Sequence, residues 1–287
     1  MPSLLMIVVG ALYGFLAGVV VNLLADYLPA VRLYQLASAS PFVSESGLPP
    51  VARAFPRLAN GQPAPIWLWS GVITRLRGRH YFDPVRWRRR LAVEIGLPLV
   101  CAWIAMFYIG EGLLPFFLFY APVLTLIAVI DIEYRWVIPL TLWPLLVAVL
   151  LDTLLSGRMA LGTSLRGGLY GAAIMLLIYL LSFVFKRVTE LGGGRIGRTV
   201  LGFGDVYLAG LGGLLVGWPY IGLALLTTVL LAGIGALLLI GSKVISGKGY
   251  RRFSAIPYGP YLAIGIALML YTPWIIGGSF LHLLRLG

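Results

Sequence analysis

Residues 113–131 read LLPFFLFYAPVLTLIAVID: eighteen uncharged residues closed by one carboxylate, Asp131. A helix rises about 1.5 Å per residue, so a stretch of this length crosses most of a hydrocarbon core about 30 Å thick. Apolar runs of similar length recur along the chain. The expected spanning segments are about 3–28, 91–109, 113–131, 136–155, 166–185, 204–217, 219–241 and 258–283. The sixth is short and rich in glycine. Composition agrees, with 60% hydrophobic and 11% charged residues and a mean hydropathy of +0.95. These values exclude a soluble domain. The expected fold class is an all-α polytopic integral membrane protein of about eight transmembrane helices with one large cytoplasmic loop. Three regions follow: a first transmembrane helix over 1–29, a basic loop over 30–90, and a seven-helix core over 91–287. Residues 1–28 lack a basic leading region and run too long for a signal peptide, so a retained first helix is expected.

The net charge of +12 would suggest nucleic acid in a soluble protein. Its placement points to membrane topology instead. Ten arginines fall in the 30–90 loop, and alternate connections carry Arg135, then Lys186, Arg187, Arg195 and Arg198, then Lys243, Lys248, Arg251 and Arg252. Nineteen of the 22 basic residues therefore lie on one side, with Arg158, Arg166 and Arg285 opposite. Positive residues favour the cytoplasmic side, so both termini are expected outside, with the basic side touching anionic lipid and no nucleic-acid partner. Residues 38–65 read as a loose connection and Gly192-Gly193-Gly194 as a flexible linker. Residues 66–90 interleave Trp67, Trp69, Tyr81 and Trp87 with arginines, as a segment on the headgroup region does.

This orientation brings two carboxylates to one face. The third span runs inward and finishes at Asp131; the sixth runs outward from Gly202-Phe203-Gly204-Asp205. A carboxylate at a membrane is costly, and a matched pair suggests function. Two carboxylates sharing a site cannot both ionise readily, which is how an aspartic peptidase activates water. Gly202 and Gly204 permit close approach of a substrate strand. The alternative for each Asp is a helix-end cap. Glu133 is expected to face solvent or pair with Arg135. Asp152 is expected to be structural. Asp26 is expected to pair with a loop arginine, with lining a substrate groove as the alternative. His80 and His282 fall on opposite sides, so neither a Ser-His-Asp arrangement nor a histidine metal site assembles. Cys101 stands alone, a packed thiol, and no metal is expected.

The motifs resemble those of a known family. Ala128–Pro139 and Gly202–Val206 are similar to the two aspartate motifs of type IV prepilin peptidases. Gly14-Phe15-Leu16-Ala17-Gly18 with Asn22, Leu28 and Pro29 resembles the family's first helix. Ile256-Pro257-Tyr258-Gly259-Pro260-Tyr261-Leu262 resembles the opening of its last, and Leu76-Arg77-Gly78-Arg79 and Glu94 match further positions. The resemblance implies Asp131 and Asp205 as the catalytic pair, with Gly202, Gly204, Pro257, Gly259 and Pro260 supporting the site or substrate. It implies cleavage after a Gly that ends the basic leader of type IV prepilins or pseudopilins, at the cytoplasmic face of the bacterial inner membrane. It also implies methylation of the new N-terminus with S-adenosylmethionine, with Asn22 and Glu94 as candidate supports. The chain departs from the family in lacking a four-cysteine cluster in residues 30–90; His80 stands about where one cysteine would be. Leu140 and Tyr207 are smaller departures. Competing readings are a preflagellin- or presenilin-like protease, a transporter binding cations at the two aspartates, and an inactive scaffold. Transport favours polar groups near the midplane and internal repeats, whereas the two carboxylates are expected at one face and the sequence shows no repeat.

Overall fold

The computed structural model describes residues 4–38, 66–77, 84–108, 112–191, 202–245 and 257–273. Among these residues every regular element is helical. The helices are α1 (Leu4–Ser38), α2 (Gly71–Arg77), α3 (Pro84–Tyr108), α4 (Leu114–Tyr134), α5 (Pro139–Leu155), α6 (Leu161–Leu191), α7 (Phe203–Val216), α8 (Tyr220–Ile245) and α9 (Gly259–Tyr271). Five of them, α1, α3, α4, α6 and α8, are long and apolar enough to span a membrane; α5, α7 and α9 are shorter apolar helices. The chain is an integral membrane protein of the expected class. Within a bilayer each backbone N–H and C=O must find its partner inside the segment, which is why apolar runs of this kind resolve as helices.

Element ends differ from the expectation at the 30–90 loop. Helix α1 continues to Ser38, and α3 begins at Pro84, so Arg88, Arg89 and Arg90 stand on the first turns of a helix. Proline suits a first helical turn, where its missing N–H costs nothing. A 3-10 turn over Ile66–Trp69 and helix α2 lie in the same stretch. The expected loose segment over 38–65, apart from Ser38, and the Gly192–Gly194 linker lie outside the described residues, as do His80 and His282.

The chain divides into two compact units, residues 1–130 and 131–287. In the first, α1 and α3 pack closely because glycines face the partner backbone. A Cβ on Gly14 would lie 2.7 Å from the Leu97 carbonyl oxygen, and one on Gly10 would lie 2.7 Å from the Ala105 Cβ. In the second, α7 packs on α6 through glycine on both sides. Gly213 meets the Gly167 backbone, Gly210 faces Ala172, and Gly171 faces the Ala209 carbonyl. With no hydrophobic drive between helices in lipid, this closeness supplies the dispersion that holds them. The far end of α7 is tied off by side chains of the α5–α6 connection and of α6. Arg158 donates to the Leu215 carbonyl at 2.7 Å and pairs with buried Asp152 at 2.8 Å. The Ser164 hydroxyl donates to the Leu214 carbonyl at 2.7 Å. The carbonyls that a helix C-terminus leaves without intrahelical partners are thereby satisfied. Asp152 has the structural role expected of it.

Candidate active site

Asp131 and Asp205 belong to the second unit, and both are buried, at 5% and 6% exposure. Asp131 stands in the last turn of α4. That helix stops because Arg135 takes a left-handed conformation, φ 56°, while its N–H closes the final turn on the Asp131 carbonyl at 2.9 Å. Left-handed backbone is uncommon for a residue with a Cβ, so Arg135 is a strained position beside the site. The chain then runs non-helically to Ile138, whose extended backbone delivers Pro139 to the start of α5.

Asp205 lies in the first turn of α7. Its carboxylate Oδ2 accepts the Gly202 N–H at 3.2 Å, and its own N–H donates to the Gly202 carbonyl at 3.1 Å. An acidic side chain in a first turn satisfies donors that the helix cannot and meets the positive end of the helix dipole. The two glycines of the motif differ in purpose. Gly202 is extended at φ −89°, open to any residue, and a Cβ there would make only ordinary contact with Asp205. Gly204 is required: a Cβ would lie 2.5 Å from the Val137 Cβ. The α4–α5 connection can therefore rest against the start of α7.

The third contribution comes from α9. The Gly259 N–H donates to Asp131 Oδ2 at 3.0 Å within the interior. A Cβ on Gly259 would sit 2.7 Å from that same oxygen and 2.9 Å from the carboxylate carbon. Pro260 is buried at the second helical position and Pro257 half-buried just before the helix. The structure thus gathers Asp131, Asp205, Gly202, Gly204 and Gly259 from sequence-distant segments. The negative charge of Asp131 acts on Asp205. Asp205 in turn acts on the Tyr258 hydroxyl, and Arg135 is the cation acting on Asp131. On the exposed side of α7, Phe203 and Tyr207 meet edge to face at 5.0 Å, and Tyr179 of α6 meets Phe203 at 5.5 Å. Glu133 is exposed, as expected.

Residues 117–240 match the model of the type IV leader peptidase family, a span that includes both aspartates. That span is similar to a type IV leader peptidase domain. The prepilin leader peptidase/N-methyltransferase of Aeromonas hydrophila is 33% identical over 208 residues, covering 71% of this chain and 64% of that protein. The protein of that name from Aeromonas salmonicida is 33% identical over 151 residues, covering 51% of this chain and 46% of that protein. The chain therefore spans between about half and two thirds of the length of these curated relatives. No solved structure matches. Gly259 lies beyond the matched leader peptidase segment, although its amide is bonded to an aspartate inside it.

Asn22 and Glu94 meet in the first unit. The Glu94 carboxylate accepts the Asn22 side-chain amide at 3.1 Å, the Ser70 hydroxyl at 2.6 Å, and the N–H groups of Gly71 and Val72 at 2.9 and 3.1 Å. Glu94 is thus the cap of α2. Asp26 pairs with Arg89 at 2.9 Å and Arg90 at 2.6 Å, as the pairing expectation held, although both arginines sit on α3. Cys101 is buried and free, as a packing thiol would be. Val137 and Tyr258 were not singled out from sequence, although both fall inside the motifs quoted for it, and Arg135 was read only as a topological charge and a possible partner of Glu133. Their roles depend on which segment lies across from them.

Proposed function

We propose that this chain is an aspartic endopeptidase that removes the basic leader from type IV prepilin- or pseudopilin-type substrates. The observation that carries the reading is two buried carboxylates in one compact unit, near enough for the charge of one to act on the other, each accepting a backbone N–H. In a site of low dielectric, one negative charge shared between two carboxyl groups is favoured over two. The ionised member takes a proton from water as the hydroxide oxygen bonds to the scissile carbonyl carbon. The protonated member gives its proton to the carbonyl oxygen. The tetrahedral diol then collapses: the carbon–nitrogen bond breaks and a proton passes to the leaving amine. The pair titrates as a unit.

The relatives' names and the match to the leader peptidase family support the substrate class. A Gly before the cut suits a narrow site, since it lets the strand approach without a side chain. The charge distribution supports placing the pair at the cytoplasmic face of the bacterial inner membrane, both termini outside, the basic side against anionic lipid, and no nucleic acid as partner. The relatives' names also carry methylation of the new N-terminus into the proposal. S-adenosylmethionine would supply the methyl group. Glu94 has both carboxylate oxygens engaged and Asn22 is fully buried, so these two serve that step by holding the first unit rather than by touching the donor.

The test is incubation of the full chain, in lipid, with a prepilin-type substrate and methyl-labelled S-adenosylmethionine. Release of a leader ending in Gly supports the peptidase reading, and label on the product's N-terminus supports the second step. Intact substrate after prolonged incubation overturns the first; leader release without label overturns the second alone.

A further inference from the structure

We propose that Gly259 is a positioning residue whose backbone N–H holds Asp131 as the charged member of the pair, leaving Asp205 to carry the proton. The inference rests on the peptidase reading above. Gly259 is the first residue of α9, and the first N–H to bond back along the helix start is that of Leu262, to the Tyr258 carbonyl at 3.1 Å. The Gly259 N–H therefore has no partner within its helix, as is general at a helix start. Pro260, the next residue, has no N–H at all. Of the first two helical positions, only Gly259 can donate, and its N–H reaches Asp131 Oδ2 at 3.0 Å in the interior.

The surroundings favour charge on the same residue. The start of α9 presents the positive end of a helix dipole to Asp131, and Arg135 acts on Asp131 as a cation. Asp205 also accepts a backbone N–H, but at 3.2 Å, and the charge acting on it is the negative one of Asp131. One negative charge shared by the two settles on the carboxylate with the shorter buried amide bond and the nearby cation. Asp131 then takes the proton from water and Asp205 donates to the carbonyl oxygen.

Glycine is needed because a side chain would occupy the carboxylate's place. A Cβ at 259 would stand 2.7 Å from Oδ2 and 2.9 Å from the carboxylate carbon, so a larger residue pushes Asp131 off its amide. Such a displacement weakens the transition state more than it weakens substrate binding. Gly265, farther along α9, provides the comparison. A Cβ there would press on the Ala224 carbonyl at 2.5 Å and on the Thr228 hydroxyl, straining α9 against α8.

The test compares Gly259→Ala and Gly265→Ala in the full chain in lipid, normalised to folded protein. It reads kcat, KM and affinity for a peptide carrying a hydroxyl-bearing tetrahedral isostere at the scissile bond. Gly259→Ala is expected to lower kcat about a hundredfold, with isostere affinity falling in step and KM within roughly threefold. Gly265→Ala is expected to keep kcat within roughly threefold per folded molecule. Wild-type kcat in Gly259→Ala, or equal losses in both variants, overturns the proposal. A second readout leaves residue 259 unchanged. The Gly259 amide should exchange its hydrogen at least about tenfold faster in Asp131→Leu than in wild type, where Oδ2 protects it. Equal rates overturn the proposal even if Gly259→Ala does not fold. A wild-type chain that cuts no prepilin-type substrate overturns the peptidase reading, and this one with it.

Discussion

At the scale of single residues, the site consists of two carboxylates and the glycines that make room around them. Gly204 and Gly259 each stand where a Cβ would collide, the first with Val137 and the second with Asp131. Gly202 has no such neighbour at close range. The distinction predicts unequal tolerance. Gly204→Ala should destabilise by about 1–3 kcal/mol through overpacking. Val137→Gly should cost less in that variant than in wild type, because it removes the Cβ that the new methyl strikes. Thermal unfolding of the single and double variants checks it; additive losses in the double variant would show that Val137 is not the obstacle. The aspartates were legible in the sequence because a carboxylate at the end of an apolar run has few inexpensive explanations. The reasons for the glycines were not legible, since each depends on a neighbour that is distant in sequence: Val137 for Gly204, and Asp131 for Gly259. The left-handed Arg135 carried no sequence signal, because that conformation is usually given to glycine or asparagine.

At the scale of elements, three devices place and hold the helices. Glycine on both faces lets α7 lie against α6, and Arg158 with Ser164 satisfies the carbonyls at its end. Arg158→Met would leave Asp152 buried without its cation, a change that costs about 3–5 kcal/mol for a buried pair. Replacing Asp152 by Leu in that variant should recover much of the loss, read as the unfolding temperature in detergent. No recovery would mean that the Leu215 contact outweighs the ion pair. In the first unit, Glu94 caps α2 with both carboxylate oxygens. Glu94→Ala would strand four donors, each costing about 1–3 kcal/mol when buried without a partner. Hydrogen exchange over Gly71–Arg77 should then quicken while that of α3 beyond Pro98 changes little; unchanged exchange in α2 would show that its packing suffices. Sequence reading placed Glu94 by likeness to a family position, but could not show that it caps a helix, because α2 is too short to leave a periodic signature. The true start of α3 was hidden by its charge. Four arginines in five positions read as part of a basic loop lying on the headgroup region, whereas two of them pair with Asp26 on α1.

At the scale of the whole molecule, hydropathy fixed most of what matters. Five long apolar helices and three shorter ones stand where eight spans were expected, because the cost of an unpaired backbone in lipid leaves few alternatives to helix. Short spans were harder to bound: α7 has 14 residues and begins at the motif itself. The parts of the second unit's site all come from residues 131–287, outside the loop that lacks the cysteines. The central claim is that Asp131 and Asp205 perform one reaction together. Its most direct test is leader release by mass from a prepilin-type substrate, using wild type, Asp131→Asn and Asp205→Asn, each verified as folded in the membrane. Asn keeps the shape and one acceptor while removing the proton transfer, a step worth about 10²–10⁴-fold. The account predicts release by wild type and a loss of at least that size in each variant alone. Release at the wild-type rate by either variant would contradict it.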